Sequence, residues 1–346
     1  MASGINQEMR MKARRLVFTG KLRVETEEFD LPDAPGPGEV LVENLYGLIS
    51  PGTELAMFTE THIGFPVPEF RYAKFPFRPG YASVGRAVLV GQGVQGVREG
   101  DILFTRSNHA SHALLPAQRP KLKVPAGVPV QHAPFATMAH ISLTSVRLSE
   151  VRLGQTVAVF GQGLIGNFAA QLMRCAGARR VIGIDAVPER LRISAQCGVD
   201  VQINPAEGDP RKRIDDLTGG AGCQVVVEAT GNPQVAPQAI RLAAQMGKVV
   251  LLGSPRGNAE ISLYFGLHSP GVTLIGAHAS RQADAARYGD PEPYDLMLSF
   301  IAEGRLRVAP LLTHTLPASG ADRAYRGLLD EKEKYLGVLL DLTKWG

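Results

Sequence analysis

The sequence predicts an α/β protein in which a doubly wound parallel sheet is joined to a second, β-rich domain. Three observations predict it. At 346 residues the chain is long enough for two cores. From Lys12 to about Lys123 it reads as short strands broken by turn signals such as Pro35-Gly36-Pro37-Gly38, Pro79-Gly80 and Glu99-Gly100-Asp101. From Thr156 onward, buried β-branched runs alternate with segments whose apolar residues recur every three or four positions, the pattern of strand–helix–strand crossovers.

Taken in order, "RRLVFTG", "KLRVETEEF", "EVLVENLYG" and "ASVGRAVLVG" are the strands of the first region. Residues 1–10 look like an extension ahead of a natural start at Met11. Near Pro134 the period changes, and "PFATMAHISLTSVRLSEV" reads as a helix. "TVAVF" is a strand, followed by a helix from Leu164 to about Ala176. "VIGID" is the next strand, with a helix from Pro188 to Gly198 after it. "VVVEAT", "KVVLLG" and "VTLIGAH" are later buried strands. After about Arg281 come a helix over "YDLMLSFIAEG", a strand near "LLTHTL", and a final helix and strand.

Composition narrows the function classes. Hydrophobic residues make up 45% and charged residues 20%, the balance of a globular protein. The net charge of +4 is scattered, with no basic block interleaved with aromatics, so no nucleic-acid partner is expected. Arg10, Lys12, Arg14 and Arg15 read as a solvated strand edge. Cys175, Cys197 and Cys223 are spaced by 22 and 26 residues, which matches no metal motif. No apolar run has the length of a membrane span and no export signal is visible, so the expected location is the cytoplasm, with reduced thiols.

Gly161-Gln162-Gly163-Leu164-Ile165-Gly166 follows a strand and opens a helix. Gly161 permits a tight turn, Gly163 admits a pyrophosphate against the backbone, and Gly166 lets helix and strand pack closely. Leu164 and Ile165 begin the helix whose N–H groups would face the phosphates. Asp185, 19 residues past Gly166, ends the next strand and can accept both ribose hydroxyls. Its charge repels a 2′-phosphate, which argues for NAD over NADP. Arg190 either covers the adenine ribose or is a surface cation. Thr230, Gly253, Ser254 and Ala277, at the ends of the later strands, complete the candidate cofactor set.

The order of segments is specific enough to carry a resemblance. "PGPGEVLVE", "PGYASVGRAVLVG" and "VREGDILF" precede the glycine motif, and a return segment closes the chain. This resembles the medium-chain dehydrogenase/reductase superfamily, which includes zinc alcohol dehydrogenases and quinone reductases. The resemblance implies a GroES-like catalytic domain over 1–135 and 282–346, a Rossmann domain over 136–281, and an active site in the cleft between them. It also implies a homodimer or homotetramer paired through the late strand "GVTLIGAH", with Val272, Leu274 and Ile275 as apolar support. The "SPGTE" segment is similar to a less common branch that includes bacteriochlorophyllide dehydrogenases and sugar- or cyclitol-type oxidoreductases.

Against that pattern, the zinc ligands are replaced. Ser50 or its neighbours stand where zinc members carry a cysteine, Gly80-Tyr81-Ala82 where they carry Gly-His-Glu, and the third ligand falls near Ala136. Zinc needs three nitrogen, sulfur or carboxylate ligands and an open position. No cysteine lies in 83–174, so the structural zinc lobe is missing as well. A metal-free enzyme is expected.

Without a metal, the proton lost from an alcohol needs another acceptor. Ser50, Thr53 and Glu54 lie in what reads as a rigid turn, where zinc members keep a ligand and a hydroxyl relay. Tyr81 either holds the substrate oxygen or fills the vacated space. His140, 21 residues before Gly161, is either a general base facing the nicotinamide or a packed helical histidine. Glu54 either acts in catalysis or holds neighbouring backbone. The segment 58–78, with six aromatic residues and three cations, either borders a substrate entrance suited to a sugar, cyclitol or anionic ring compound, or forms a small core under a loop. The reading is a zinc-independent, NAD-dependent dehydrogenase of a secondary alcohol such as a sugar or cyclitol, with a small alcohol or carbonyl as substrate. An NAD(P)H-dependent enone or quinone reductase and a non-catalytic nucleotide-binding protein are the alternatives.

Overall fold

The computed structural model describes residues 10–119, 121–279 and 293–346. The expected extension over 1–10 lies outside them save for Arg10. The chain divides into two compact units. The first comprises 1–134, 315–326 and 338–346, the second Phe135–His314 and Gly327–Gly337. The second unit therefore takes in the 293–314 region, which the sequence reading had assigned to the first domain. No helix of the described residues is long and apolar enough to cross a membrane.

In the first unit, β1 (Arg10–Gly20) and β2 (Arg23–Pro32) form an antiparallel hairpin. Its basic residues are paired across the strands, Lys12 with Asp30, Arg14 with Glu28 and Arg15 with Glu27. β3 (Val40–Leu48), β4 (Ser83–Val90), β5 (Ile102–Thr105), β6 (His112–Leu115) and β7 (Leu122–Lys123) build an antiparallel sheet, with β4 and β6 both on β3. Alternation along β3 and β4 buries Val40, Val42 and Ala87 with Leu103 and Leu115. The segment read as a rigid turn after β3 is instead a helix, α1 (Pro51–Phe58), with Ser50 at its N-cap position. Proline at the first helical position supplies the helical φ, Thr53 falls in the first turn, and the Glu54 N–H makes the first helical bond, to the Ser50 carbonyl at 2.9 Å.

In the second unit, the helix expected from Pro134 begins at Ala136 as α2 (Ala136–Ser149). It is preceded by a 3₁₀ turn over Val130–Phe135 that contains Pro134, which cannot donate to a helix. A six-stranded parallel sheet then follows. Its strands are β8 (Thr156–Phe160), β9 (Arg180–Ile184), β10 (Val201–Ile203), β11 (Cys223–Glu228), β12 (Ala243–Leu251) and β13 (Thr273–Gly276), in the order β10-β9-β8-β11-β12-β13. The helices are α3 (Leu164–Cys175), α4 (Pro188–Gln196), α5 (Pro210–Thr218) and α6 (Ala236–Leu242), and one core lies on each face of the sheet. The order reverses beside β8, where chains of this architecture open a crevice for a ligand. β13 is an edge strand, but Val272 is buried and Leu274 and Ile275 pack into the unit's own cores. The apolar support expected of these three side chains is thus given to the unit's own cores.

Candidate active site

The carboxyl ends of β8, β9, β11 and β12 carry the predicted cofactor residues. Gly161 turns the chain out of β8 with φ +82°, a conformation that glycine adopts without strain. A β-carbon at Gly166 would overlap the Gly161 carbonyl oxygen, so α3 reaches the strand only because position 166 has none. α3 starts at Leu164 with no side-chain cap, which leaves its first N–H groups for a ligand. Ser142 of α2 donates to the Ile165 carbonyl at 2.7 Å and pins the same turn.

Asp185 follows β9 directly. Its carboxylate accepts from the Gln162 N–H at 2.7 Å and the Val187 N–H at 2.8 Å. Arg190 Nη1 lies 4.0 Å from Asp185, and Arg190 Nε is buried with no hydrogen-bond partner among the described residues. Thr230 packs beside Gly161, Gly253 lies against the Gly231 backbone, Ser254 follows it, and the Ala277 N–H donates to Leu251 at 3.0 Å. The glycine turn, the uncapped helix start, the carboxylate and the orphaned guanidinium nitrogen fit the phosphates and ribose of a dinucleotide.

Sequence reasoning missed Glu228, buried at the end of β11. It accepts from the Thr230 N–H at 2.6 Å and from the Thr230 hydroxyl, and burial raises its carboxyl above the usual range. A strand-ending acid gives no signal that separates it from a surface acid. His140 lies on α2 with its ring stacked on Tyr294 of α7 (Pro293–Ala302), centroids 4.2 Å apart.

In the first unit, α1 and the segment before β4 bring Ser50, Thr53 and Tyr81 together. The Tyr81 hydroxyl donates to Ser50 Oγ and lies 3.4 Å from Thr53 Oγ1. Burial pushes the Tyr81 phenol up to about 12, against the lowering effect of those two hydroxyls. It is therefore a donor at neutral pH. Glu54 bonds none of these three hydroxyls. Its Oε1 accepts from the Ser50 N–H at 3.0 Å, and its Oε2 accepts from Tyr325 at 2.6 Å and from His109 Nε2 at 3.1 Å. All three side chains are fully buried. His109 and Tyr325 had no signal in the sequence, because Tyr325 lies 271 positions from its partner.

A zinc ion does not fit these donors. Ser50 is a neutral hydroxyl, Tyr81 a phenol held protonated, Ala136 offers no ligand atom, and the nearby Glu54 carboxylate is saturated by three hydrogen bonds. Among the described residues no group of three or more His, Cys, Asp and Glu is placed to hold a metal. Cys175, Cys197 and Cys223 are free thiols, and burial pushes Cys197 up to about 11 and Cys223 to about 12.

Comparison with known proteins adds four findings. Residues 165–292 match the family model of zinc-binding dehydrogenases, a stretch that stops short of Ser50, Tyr81 and Ala136. The erythritol/L-threitol dehydrogenase of Mycolicibacterium smegmatis is 31% identical over 208 residues, 60% of this chain and 55% of that protein. The chain thus spans little more than half the length of that relative. A zinc-binding dehydrogenase of Sinorhizobium meliloti, solved with NADP, superposes with a TM-score of 0.78 at 19% identity over 96% of this chain and 99% of that one. An Escherichia coli alcohol dehydrogenase solved with NADH superposes with a TM-score of 0.79 at 19% identity over 95% and 99%. At these identities the two structures establish the fold, a β-rich sheet domain with a parallel Rossmann-like sheet.

Proposed function

We propose that this chain, which belongs to the medium-chain dehydrogenase/reductase superfamily, is a zinc-independent dehydrogenase that passes hydride between a secondary alcohol and NAD. The observation that carries the reading is the Tyr81–Ser50–Thr53 hydroxyl cluster, standing in the positions where the zinc-binding members of the superfamily need ligands. The named relatives, a tetritol dehydrogenase and an alcohol dehydrogenase among them, support an alcohol as substrate class. NAD, when bound, accepts the hydride. The protein's task is the proton.

The Tyr81 oxygen, whose own proton is directed to Ser50 Oγ, accepts a hydrogen bond from the substrate hydroxyl. As the alcohol's proton passes to Tyr81, the phenol hands its own to Ser50 and the Ser50 hydroxyl releases its proton to water, so that a phenolate, disfavoured by burial, never accumulates. Thr53 offers a second oxygen to the same hydroxyl. His140 is the competing assignment for the proton acceptor.

The experiment is a screen of secondary alcohols for NAD reduction by metal-free protein, repeated with Tyr81→Phe and His140→Ala. Loss of roughly a hundredfold or more in turnover is expected for Tyr81→Phe, with NADH affinity unchanged. Near wild-type turnover in that variant transfers the role to His140. One zinc per chain by elemental analysis, with activity abolished by chelation and restored by zinc, defeats the metal-free reading. Reduction of an enone by NADPH with no alcohol oxidation replaces it with the reductase alternative.

We also propose self-association through β13. Among the described residues its outer backbone edge is unpaired, and Met246, Leu263, Tyr264 and Phe265 beside it are all at least 60% exposed. A second copy related by a two-fold axis would extend the sheet and cover them. Light scattering that returns a monomer mass at micromolar concentration ends this proposal.

A further inference from the structure

We infer that His109 is a positioning residue for the hydroxyl cluster: wedged between the two segments that carry Ser50 and Tyr81, it sets how far apart their oxygens stand. The inference rests on the dehydrogenase reading above and adds to it the residue that fixes the geometry of the proton path.

The cluster is made by two pieces of chain that part just before it. Leu48, at the end of β3, donates its N–H to the Ala82 carbonyl at 2.8 Å. From there one chain runs into Ser50 and α1, and the other leads back through Tyr81 to Gly80 and Pro79. His109 grips both. Its Nε2 lies 3.1 Å from Glu54 Oε2, and the other oxygen of that carboxylate takes the Ser50 N–H at 3.0 Å. Its own N–H donates to the Pro79 carbonyl at 2.9 Å. Asn108 beside it donates its side-chain amide to the carbonyls of Arg78 at 2.8 Å and Gly80 at 3.1 Å. All of these residues belong to the first unit.

Two glycines make room for this grip. Gly80 has φ +101°, and a β-carbon there would overlap the His109 backbone nitrogen and lie 2.9 Å from its Cγ. A β-carbon at Gly47, in β3, would overlap His109 Nδ1 and lie 3.0 Å from its Cε1. The imidazole thus fills the slot between the β3 segment that leads to Ser50 and the segment that ends in Tyr81. It is fully buried, and Nδ1 has no hydrogen-bond partner among the described residues. One nitrogen bonds Glu54, and the other is pressed on Gly47. A ring held on both sides in this way has no freedom to shift without moving one segment against the other.

That spacing matters because a proton passes between two hydroxyls only at hydrogen-bond distance. Thr53 Oγ1, at 3.4 Å from the Tyr81 oxygen, already lies at the outer limit. A displacement of about 1 Å, transmitted from a residue that touches no substrate, is enough to cost turnover up to about a hundredfold.

The test uses the full chain, saturating NAD and the secondary alcohol most active in the screen above. A glutamine carboxamide reaches about as far as Nε2 and still donates to Glu54, whereas that of asparagine ends near Nδ1 and falls short. His109→Asn should lower kcat about tenfold and leave the KM for the alcohol and the NADH affinity within about twofold, and His109→Gln should recover most of the loss. On the Tyr81→Phe background His109→Asn should cost no further turnover, although it lowers the urea midpoint equally in both backgrounds. A purely structural histidine predicts the opposite, turnover losses that multiply or that follow stability alone, and that result overturns the inference. So does full turnover in a folded His109→Asn. Should His109→Asn fail to fold, the exposed Asn108→Ala loosens the same grip and should lower kcat about threefold, again only where Tyr81 is present; no change rejects the inference. If no alcohol reduces NAD, the dehydrogenase reading has failed. A crystal structure of His109→Gln beside that of Asn108→Ala then decides: Ser50 and Tyr81 oxygens farther apart in Asn108→Ala support the spacing role, and an unmoved pair ends it.

Discussion

The glycine edge of the parallel sheet and the hydroxyl cluster around Tyr81 are built by opposite means. At the first, the groups offered to a ligand are backbone. Six consecutive residues, Gly161 to Gly166, set the turn, and the ligand would meet N–H groups whose positions depend on φ angles and on the absence of β-carbons. At the second, every working atom is on a side chain. Ser50 and Thr53 come from α1, Tyr81 from 28 residues beyond Thr53, and the helix that carries the hydroxyls is tied from below by Glu54 to His109 and Tyr325. A backbone site tolerates most side chains and fails when one glycine gains a carbon. A side-chain site tolerates backbone variation and fails when one oxygen is lost.

Gly166→Val tests the backbone half and should have the largest effect. The added side chain would overlap the Gly161 carbonyl, so α3 must move away from β8. A displacement of that kind costs on the order of 4 kcal/mol or more. NADH affinity, read by fluorescence titration, should fall by roughly a thousandfold. Affinity within threefold of wild type shows that the turn is not the phosphate site.

Glu54→Leu tests the side-chain half. It strands the Ser50 N–H, the Tyr325 hydroxyl and His109 Nε2 in a fully buried site. Removing one member of a buried charged network costs about 3–5 kcal/mol, visible as a lower urea midpoint with an unchanged m value. Tyr325→Phe deletes one of the three bonds and should cost about 1–2 kcal/mol. The role of Glu54 separates in Glu54→Gln. A structural tether loses stability and turnover together, whereas a catalytic acid loses turnover with stability kept.

The same contrast explains what was legible in the sequence. The parallel sheet, its helices and the residues at its carboxyl edge could be read because a backbone site leaves contiguous marks. Glycines fall at fixed spacing, with an apolar run before them and an acid after the next strand. The first unit's strands were legible from alternation and turns. Its site was only half legible. Ser50, Thr53, Glu54 and Tyr81 were found by position within a resembled pattern, but that Pro51–Phe58 is a helix was not, since the Ser-Pro-Gly sequence reads equally as a turn and proline also opens helices. His109 and Tyr325 were invisible, because a tertiary hydrogen bond imposes no local pattern. The six aromatics of 58–78 looked alike in sequence, and packing alone separates the buried Phe58 from the exposed Phe70 and Tyr72.

Asp185 belongs to both means of construction. The carboxylate holds the glycine turn by accepting the Gln162 N–H and starts α4 by accepting the Val187 N–H. It would also accept the ribose hydroxyls and repel a 2′-phosphate. Asp185→Ala therefore weakens both nicotinamide cofactors through the loosened turn and weakens NADH further through the lost ribose contact. The ratio of NADH to NADPH affinity cancels the first loss and isolates the second. That ratio should narrow by about 1–3 kcal/mol, the scale of a charge-assisted hydrogen bond. Arg190, 4.0 Å from the carboxylate in the wild type and with its Nε unpaired, becomes free to meet the phosphate and adds to the change in the same direction. Arg190→Ala on the Asp185→Ala background should then remove part of the NADPH gain. A wild-type protein that binds NADPH as tightly as NADH contradicts the assignment outright. A ratio unmoved by Asp185→Ala confines the carboxylate to holding the turn.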